Sequence, residues 1–220
     1  MSNVKDSART RVPTSINSRI GARVRALRVE QAFTLDALAA RCEVSRSMLS
    51  VVERGQSSPT AVVLDKIATG LGVSLAALFD NPQAPASPVS RHEDRIPWRD
   101  PGSGYVRRSI SPVNFSSPIR IIEVDLPARA RVTYETGARE ANLAQQIWVK
   151  QGSLEVTVGT ATYRLKMDDC LAMKLNAPIT FYNRSRNVAR YVVVISTDCI
   201  RRNDDNSDPL RGSSKRLRLR

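Results

Sequence analysis

Residues 34–55 read TLDALAARCEVSRSMLSVVERG, and this stretch decides the fold of the N-terminal part of the chain. Thr34 and Ser45 each stand directly before a short segment with helical apolar spacing, where N-cap residues occur. Gly55 ends the second segment, as glycine commonly does at a helix C-terminus. The side chains predicted to face inward are Leu35, Leu38 and Ala39 in the first helix and Met48, Leu49 and Val52 in the second. Two short helices joined by about three residues are typical of a helix-turn-helix.

Three further helices are predicted around this pair. One precedes it, with an apolar stripe at spacings of four and three, formed by Ile16, Ile20, Val24 and Leu27. Thr60 is the expected N-cap of a fourth helix, and Ser74 that of a short fifth helix, LAALF. Residues 16–80 are therefore predicted to form an all-α domain of five helices.

The remainder of the chain changes character twice. Residues 81–101 are rich in proline, which favours extended backbone, and are predicted to be a semi-rigid linker. Residues 102–199 contain alternating, β-branched segments such as IRIIEVDL (119–126) and are predicted to be a β domain. Residues 1–15 are interpreted as a flexible basic arm and 200–220 as a basic disordered tail. The fold class expected is multidomain α + β.

Composition restricts the classes of function. The chain has 220 residues, 34 Lys+Arg and 21 Asp+Glu, giving a formal net charge of +13 that favours polyanionic partners, above all nucleic acid. A single histidine, His92, excludes a multi-histidine metal site within one chain. The three cysteines lack C-x-x-C spacing, so we expect a reducing compartment rather than a disulfide framework. No apolar run of about 20 residues and no secretory signal is present, so no membrane association and a cytoplasmic location are predicted.

The segment from Thr34 to Phe79 resembles the Xre/Cro family of lambda-repressor-like DNA-binding domains. The resemblance implies that the third helix lies in the major groove of a double-stranded operator and that the protein binds as a homodimer to two half-sites. Glu43 departs from the family pattern, which usually has glycine there. That position often needs a left-handed backbone, so Glu43 predicts some strain or a different turn.

The residues of the third helix that do not face inward are the ones expected to contact DNA. Arg46 lies at the N-terminal end, where a guanidinium can bind guanine O6 and N7. The other predicted base contacts are Ser47, Ser50 and Val51. Phosphate contacts are predicted for Thr34, Ser45, Arg54 and Gln56. For Thr34 and Ser45 the alternative is helix capping alone, and Glu53 is expected to have a partner within the domain.

In the second domain, residues 145–185 resemble the conserved portion of a small-barrel cupin, through a turn at Gly152, a bend at Asp169, and Pro178 and Asn183 before the last strands. The resemblance implies a small β-barrel. Aligning the family's metal-binding motifs places Gln145 and Ile179 at ligand positions, where neither can replace the usual side chains. We therefore expect no metal, no cofactor and no catalytic residue.

Two roles for the β domain remain open: an effector sensor, or a dimerisation module with a filled interior. The candidate effector residues are Tyr134, Arg139, Gln145 and Lys174. The two cationic side chains, Arg139 and Lys174, would suit a small anion. The function predicted is a dimeric, sequence-specific transcriptional regulator. The alternatives are a metal-independent cupin-type enzyme with a DNA-targeting head and a DNA-binding protein with another role, such as an antitoxin-like partner.

Overall fold

The computed structural model describes residues 15–81, 85, 87–112, 115, 117–135 and 144–196. Residues 1–14 of the predicted arm and the whole predicted tail lie outside this part of the chain. Among the described residues, no helix is long and apolar enough to cross a membrane.

The N-terminal domain contains four α-helices and a 3₁₀ helix, so the prediction of five helices is wrong in its last member. The five residues of that segment, Leu75–Phe79, make a single short 3₁₀ helix. Each of the five segments begins at a Ser or Thr side chain that accepts a backbone N–H. Four of these caps, Thr34, Ser45, Thr60 and Ser74, were predicted, whereas the cap of α1, Ser15, was not. The α-helices are α1 (Ile16–Glu30), α2 (Leu35–Cys42), α3 (Arg46–Glu53) and α4 (Ala61–Gly70).

The helices enclose an apolar core, to which each contributes buried side chains. The fully buried members are Ile20, Val24, Leu38, Leu49, Leu64, Ile67 and Leu78. Met48 was predicted to face this core, but 41% of it is exposed. The reason is that α3 has eight residues and its inner face is filled by Leu49 and Val52, so Met48 falls at its margin. Glu43 adopts the left-handed backbone expected at its position, with φ 52°.

The described residues of the C-terminal domain form ten antiparallel strands in two sheets. Six strands pair in the order β1-β2-β3-β10-β5-β8, and four in the order β4-β9-β6-β7. The strands are β1 (Trp98–Arg99), β2 (Val106–Ser109), β3 (Ile119–Leu126), β4 (Arg131–Tyr134), β5 (Ala144–Gln151), β6 (Ser153–Val158), β7 (Ala161–Lys166), β8 (Cys170–Lys174), β9 (Ile179–Tyr182) and β10 (Ala189–Ser196). β1 lies within the stretch predicted to be linker.

The two sheets pack face to face and are not closed into the predicted barrel. Hydrogen-bonded pairing among the described strands runs only within each sheet. The sheets meet through side chains: the ring of Phe181 on β9 stacks on that of Tyr191 on β10, with centroids 5.8 Å apart. Alternate residues of β10 are buried. This alternation is explained by packing the apolar face of one sheet on that of the other, without hydrogen bonds between the edge strands of the two sheets.

An ion-pair cluster lies on the outer side of the larger sheet, at Asp125 of β3. The Asp125 carboxylate accepts hydrogen bonds from Arg190 on β10 at 2.6 Å and from Arg108 on β2 at 2.7 Å. Burial acts to raise the pKa of Asp125, but the two arginines outweigh it, so the pKa lies below its usual value. The cluster therefore joins three neighbouring strands.

The helical domain contacts the β domain directly. The ring of Trp98 lies edge-on to Phe79 of the 3₁₀ helix and to Tyr105, with centroids 5.5 and 5.7 Å apart. Asp100, which is 3% exposed, accepts a 2.9 Å hydrogen bond from the N–H of Ala61 at the start of α4. The chain that joins the domains thus also caps a helix of the first domain.

Candidate functional site

The N-terminal end of α3 is exposed and bears the residue predicted to contact bases. The hydroxyl of Ser45 caps the helix by accepting the N–H of Met48 at 3.2 Å. Arg46 follows it and pairs with Asp36 on α2, with 2.9 Å between Nε and Oδ1. The two side chains are 66% and 72% exposed. Because an ion pair this exposed contributes little stability, exchanging Asp36 for a base edge costs little.

The remaining predicted DNA residues form two groups and two separate positions. The hydroxyl of Ser47 lies 3.1 Å from that of Ser45, at the start of α3. At its end, the guanidinium of Arg54 donates to Ser50 and, at 2.8 Å, to the side-chain oxygen of Gln56. Thr34 is exposed and caps α2, accepting the N–H of Ala37 at 3.0 Å, and Val51 is partly buried.

Contacts beneath α3 fix its position. Arg28 on α1 donates two hydrogen bonds to the Glu53 carboxylate, at 2.6 and 2.9 Å, which confirms the predicted intradomain partner for Glu53. Hydrogen bonding to Glu53 raises the pKa of Arg28. Gly21 lets α1 approach α3 closely, because a Cβ there would lie 2.3 Å from the carbonyl oxygen of Val52. The outward face of α3 is therefore held on a rigid support.

A cavity of about 80 Å³ lies between the two sheets and the helical domain. Of the four predicted effector residues, Tyr134 and Gln145 line it. Lys174 is exposed on the edge strand β8 and does not line it, since its side chain alternates away from Met173 and Leu175. Arg139 lies outside the described residues. The polar residues of the lining that were not predicted are Asp65, Ser74, Tyr105, Arg107 and Tyr191.

Arg107 is the one cationic residue among the described residues that line this cavity. It is 7% exposed, and its guanidinium stacks on Phe79 with 4.5 Å between Cζ and the ring centroid. Burial lowers the pKa of Arg107, although a guanidinium remains charged. A sequence signal existed: Arg107 and Arg108 are consecutive in a strand, so their side chains leave opposite faces and one of them must point inward.

Three tyrosines that line the same cavity, Tyr105, Tyr134 and Tyr191, interact electrostatically with the guanidinium. The hydroxyls of Tyr105 and Tyr134 lie 2.9 Å apart. Burial raises the pKa of Tyr105 to about 12 and raises those of Tyr134 and Tyr191 as well. The phenols therefore stay neutral at physiological pH and act as hydrogen-bond donors or acceptors rather than as a balancing negative charge.

No group of three or more His, Cys, Asp or Glu side chains that could hold a metal ion occurs among the described residues. His92 lies exposed on the stretch between the domains, away from the cavity lining.

Comparison with known proteins identifies the helical domain. Residues 24–78 match a family model described as Helix-turn-helix. The chain is 43% identical to the HTH-type transcriptional regulator SutR of Escherichia coli over 58 residues, which cover 26% of this chain and 33% of SutR. It is 26% identical to the HTH-type transcriptional regulator PuuR of the same organism, over 78% of this chain and 91% of PuuR.

A solved structure shows the same overall fold. An HTH_3 family transcriptional regulator from Vibrio cholerae superposes with a TM-score of 0.66 at 24% identity, covering 84% of this chain and 98% of that one. Residues 24–78 therefore form an Xre-like helix-turn-helix domain, the kind carried by the transcriptional regulators to which this chain is similar.

Proposed function

We propose that this protein is a cytoplasmic transcriptional regulator that binds a specific operator as a homodimer through α3, and that its β domain supports dimerisation and binds a small anion. The observation that carries the DNA-binding part is the exposed N-terminal end of α3, where Arg46 is held only by a solvated ion pair. A helix presented in this way fits the major groove, and its first residues reach base edges.

The proposed roles divide the site into base and phosphate contacts. Arg46, Ser47, Ser50 and Val51 contact bases, since they lie on the outward face of α3. Thr34, Ser45, Arg54 and Gln56 contact phosphates, where hydroxyls, helix N-termini and charge position a protein without selecting sequence. The Arg54–Gln56 hydrogen bond holds the guanidinium ready at the end of α3.

The proposal is tested by selecting duplexes from a random library and measuring affinity by fluorescence anisotropy. Arg46→Ala is expected to cost about 1–3 kcal/mol on the selected duplex and much less on a scrambled one. Arg54→Ala is expected to weaken both duplexes and to reduce the salt slope by about 0.9. Arg164→Ala serves as the matched control, because Arg164 is 79% exposed on β7 of the other domain.

Two outcomes would refute this proposal. If the library yields no enriched sequence, the protein has no specific operator. If Arg46→Ala loses the same binding affinity on both duplexes, Arg46 does not contact bases. The dimer is tested separately by sedimentation velocity, where a single species of one chain at micromolar concentration would exclude it.

For the β domain, binding is proposed rather than catalysis. The tyrosines that line the cavity have raised pKa values, so they are poor bases at neutral pH. The buried arginine at the centre of the cluster is a fixed cation, which suits recognition of an anion.

A further inference from the structure

The cavity is lined by both domains. The sheets supply most of its wall, and the helical domain supplies Asp65 of α4 together with Ser74 and Leu75 at the start of the 3₁₀ helix. A molecule in this cavity would therefore touch the domain that carries α3 as well as the β domain.

One charged group in the cavity wall, Arg107, lacks hydrogen-bond acceptors, and Asp80 attracts it electrostatically without a hydrogen bond. The Nε and Nη2 atoms of Arg107 are buried and have no hydrogen-bond acceptor among the described residues. One face of the guanidinium is covered by the Phe79 ring, which interacts with the charge but accepts no conventional hydrogen bond. Buried guanidinium groups are normally paired, so this arrangement points to an anion as the missing partner.

The surroundings of Arg107 narrow the chemistry of that anion. The Tyr105–Tyr134 hydroxyl pair and the side chain of Gln145 lie in the same cavity and provide neutral donors. The apolar part of the wall is formed by Leu75, Val124, Leu175, Ile179, Phe181, Val193 and Ile195. A polar end next to an apolar wall fits a ligand with one charged group and a hydrocarbon end.

The volume limits the length of that hydrocarbon. An engineered apolar cavity of about 150 Å³ holds benzene, and a single water needs about 10–15 Å³. At about 80 Å³, this cavity suits a ligand of a few non-hydrogen atoms.

We propose that this cavity binds a short-chain monocarboxylate, with its carboxylate on Arg107 and the tyrosine hydroxyls and its alkyl end against the apolar wall. This inference rests on the anion-sensing role proposed above and names its ligand class. Because the helical domain borders the cavity, an occupant that favours one placement of this domain changes the affinity for DNA.

Propionate, propionamide and propylamine test this proposal, because they share a three-carbon chain and differ in charge. Isothermal titration and thermal unfolding of the full-length protein are expected to show binding of propionate alone. Arg107→Gln is expected to lower propionate affinity by at least about tenfold, and Tyr134→Phe by about threefold to tenfold. Arg164→Ala, remote from the cavity, should leave it unchanged.

The proposal is overturned if the wild-type protein binds none of the three probes, or if it binds propionamide as well as propionate. It is also overturned if Arg107→Gln or Tyr134→Phe binds propionate as the wild type does. If Arg107→Gln does not fold, two measurements still test the proposal. They are the propionate affinity of Tyr134→Phe and the difference between the wild-type affinities for propionate and propionamide. The titrations contain no DNA, and the operator measurements contain no propionate. A failure to bind propionate therefore does not affect the test of operator binding.

Discussion

Replacing Asp100 by alanine should destabilise the helical domain, although Asp100 lies outside it. The Oδ1 atom of Asp100 accepts the N–H of Ala61 at 2.9 Å, and Oδ2 accepts the N–H and hydroxyl of Ser103 at 2.7 and 2.5 Å. Ala61 is 1% exposed, so water cannot replace the lost acceptor. Thr60 would still cap α4 through Val63.

The expected loss follows from these contacts. A buried donor left without an acceptor costs about 1–3 kcal/mol. Removing a negative charge from the N-terminus of α4 adds about 0.3–1 kcal/mol. The Ser103 groups are only partly buried, so water recovers most of their hydrogen bonding. Together these contributions predict that Asp100→Ala lowers the free energy of unfolding by about 1–4 kcal/mol.

Urea denaturation followed by circular dichroism measures this loss. Asp100→Asn is the matched control, because its Oδ1 still accepts from Ala61 while its amide can no longer accept from Ser103. It should lose clearly less than Asp100→Ala. A loss below about 0.5 kcal/mol for Asp100→Ala, the range of an ordinary surface substitution, would refute the role assigned to Asp100. Equal losses for the two variants would show that the Ala61 contact is not the important one.

Three further predictions follow from other contacts. Gly21→Ala forces α1 away from the Val52 carbonyl and should cost at least about 2 kcal/mol in urea denaturation; a neutral result would contradict the close approach. Because the pKa of Asp125 is lower in the folded state than in the unfolded state, its stabilisation is complete above the unfolded pKa and is lost as pH falls through the folded pKa. Asp125→Asn should therefore reduce the acid-induced loss of stability, measured as urea midpoints at pH 7 and pH 3. Burial raises the pKa of Cys42 to about 11, so at pH 8 a thiol reagent should modify exposed Cys170 and spare Cys42 until the protein unfolds.

The sequence predicted local features of the helical domain well, because each depends on a few neighbouring residues. The structure contains the predicted Ser and Thr caps and the left-handed backbone at Glu43. It also contains the predicted partner of the Glu53 carboxylate, which is Arg28. Met48 was misplaced because periodicity in an eight-residue helix leaves its margin undetermined. The last predicted helix has only five residues, Leu75–Phe79, and is a 3₁₀ helix.

Features that depend on distant contacts could not be predicted in the same way. Closure of a barrel is decided by which strand edges meet, and alternation of apolar residues is the same in a barrel and in two packed sheets. Strand alternation indicates that either Arg107 or Arg108 faces inward, but the choice of Arg107 depends on its contact with Phe79, a residue of the other domain. Lys174 was placed in the cavity by its charge, whereas the strand register puts it outside.

The two tryptophans report on different parts of the molecule. Trp98 is 2% exposed and lies between the helical domain and Tyr105, whereas Trp148 is 43% exposed on β5. The emission of a Trp148→Phe variant would thus come from Trp98 alone. Separation of the two domains would bring water to that indole and shift its fluorescence to longer wavelength, so the protein carries its own optical probe of domain contact.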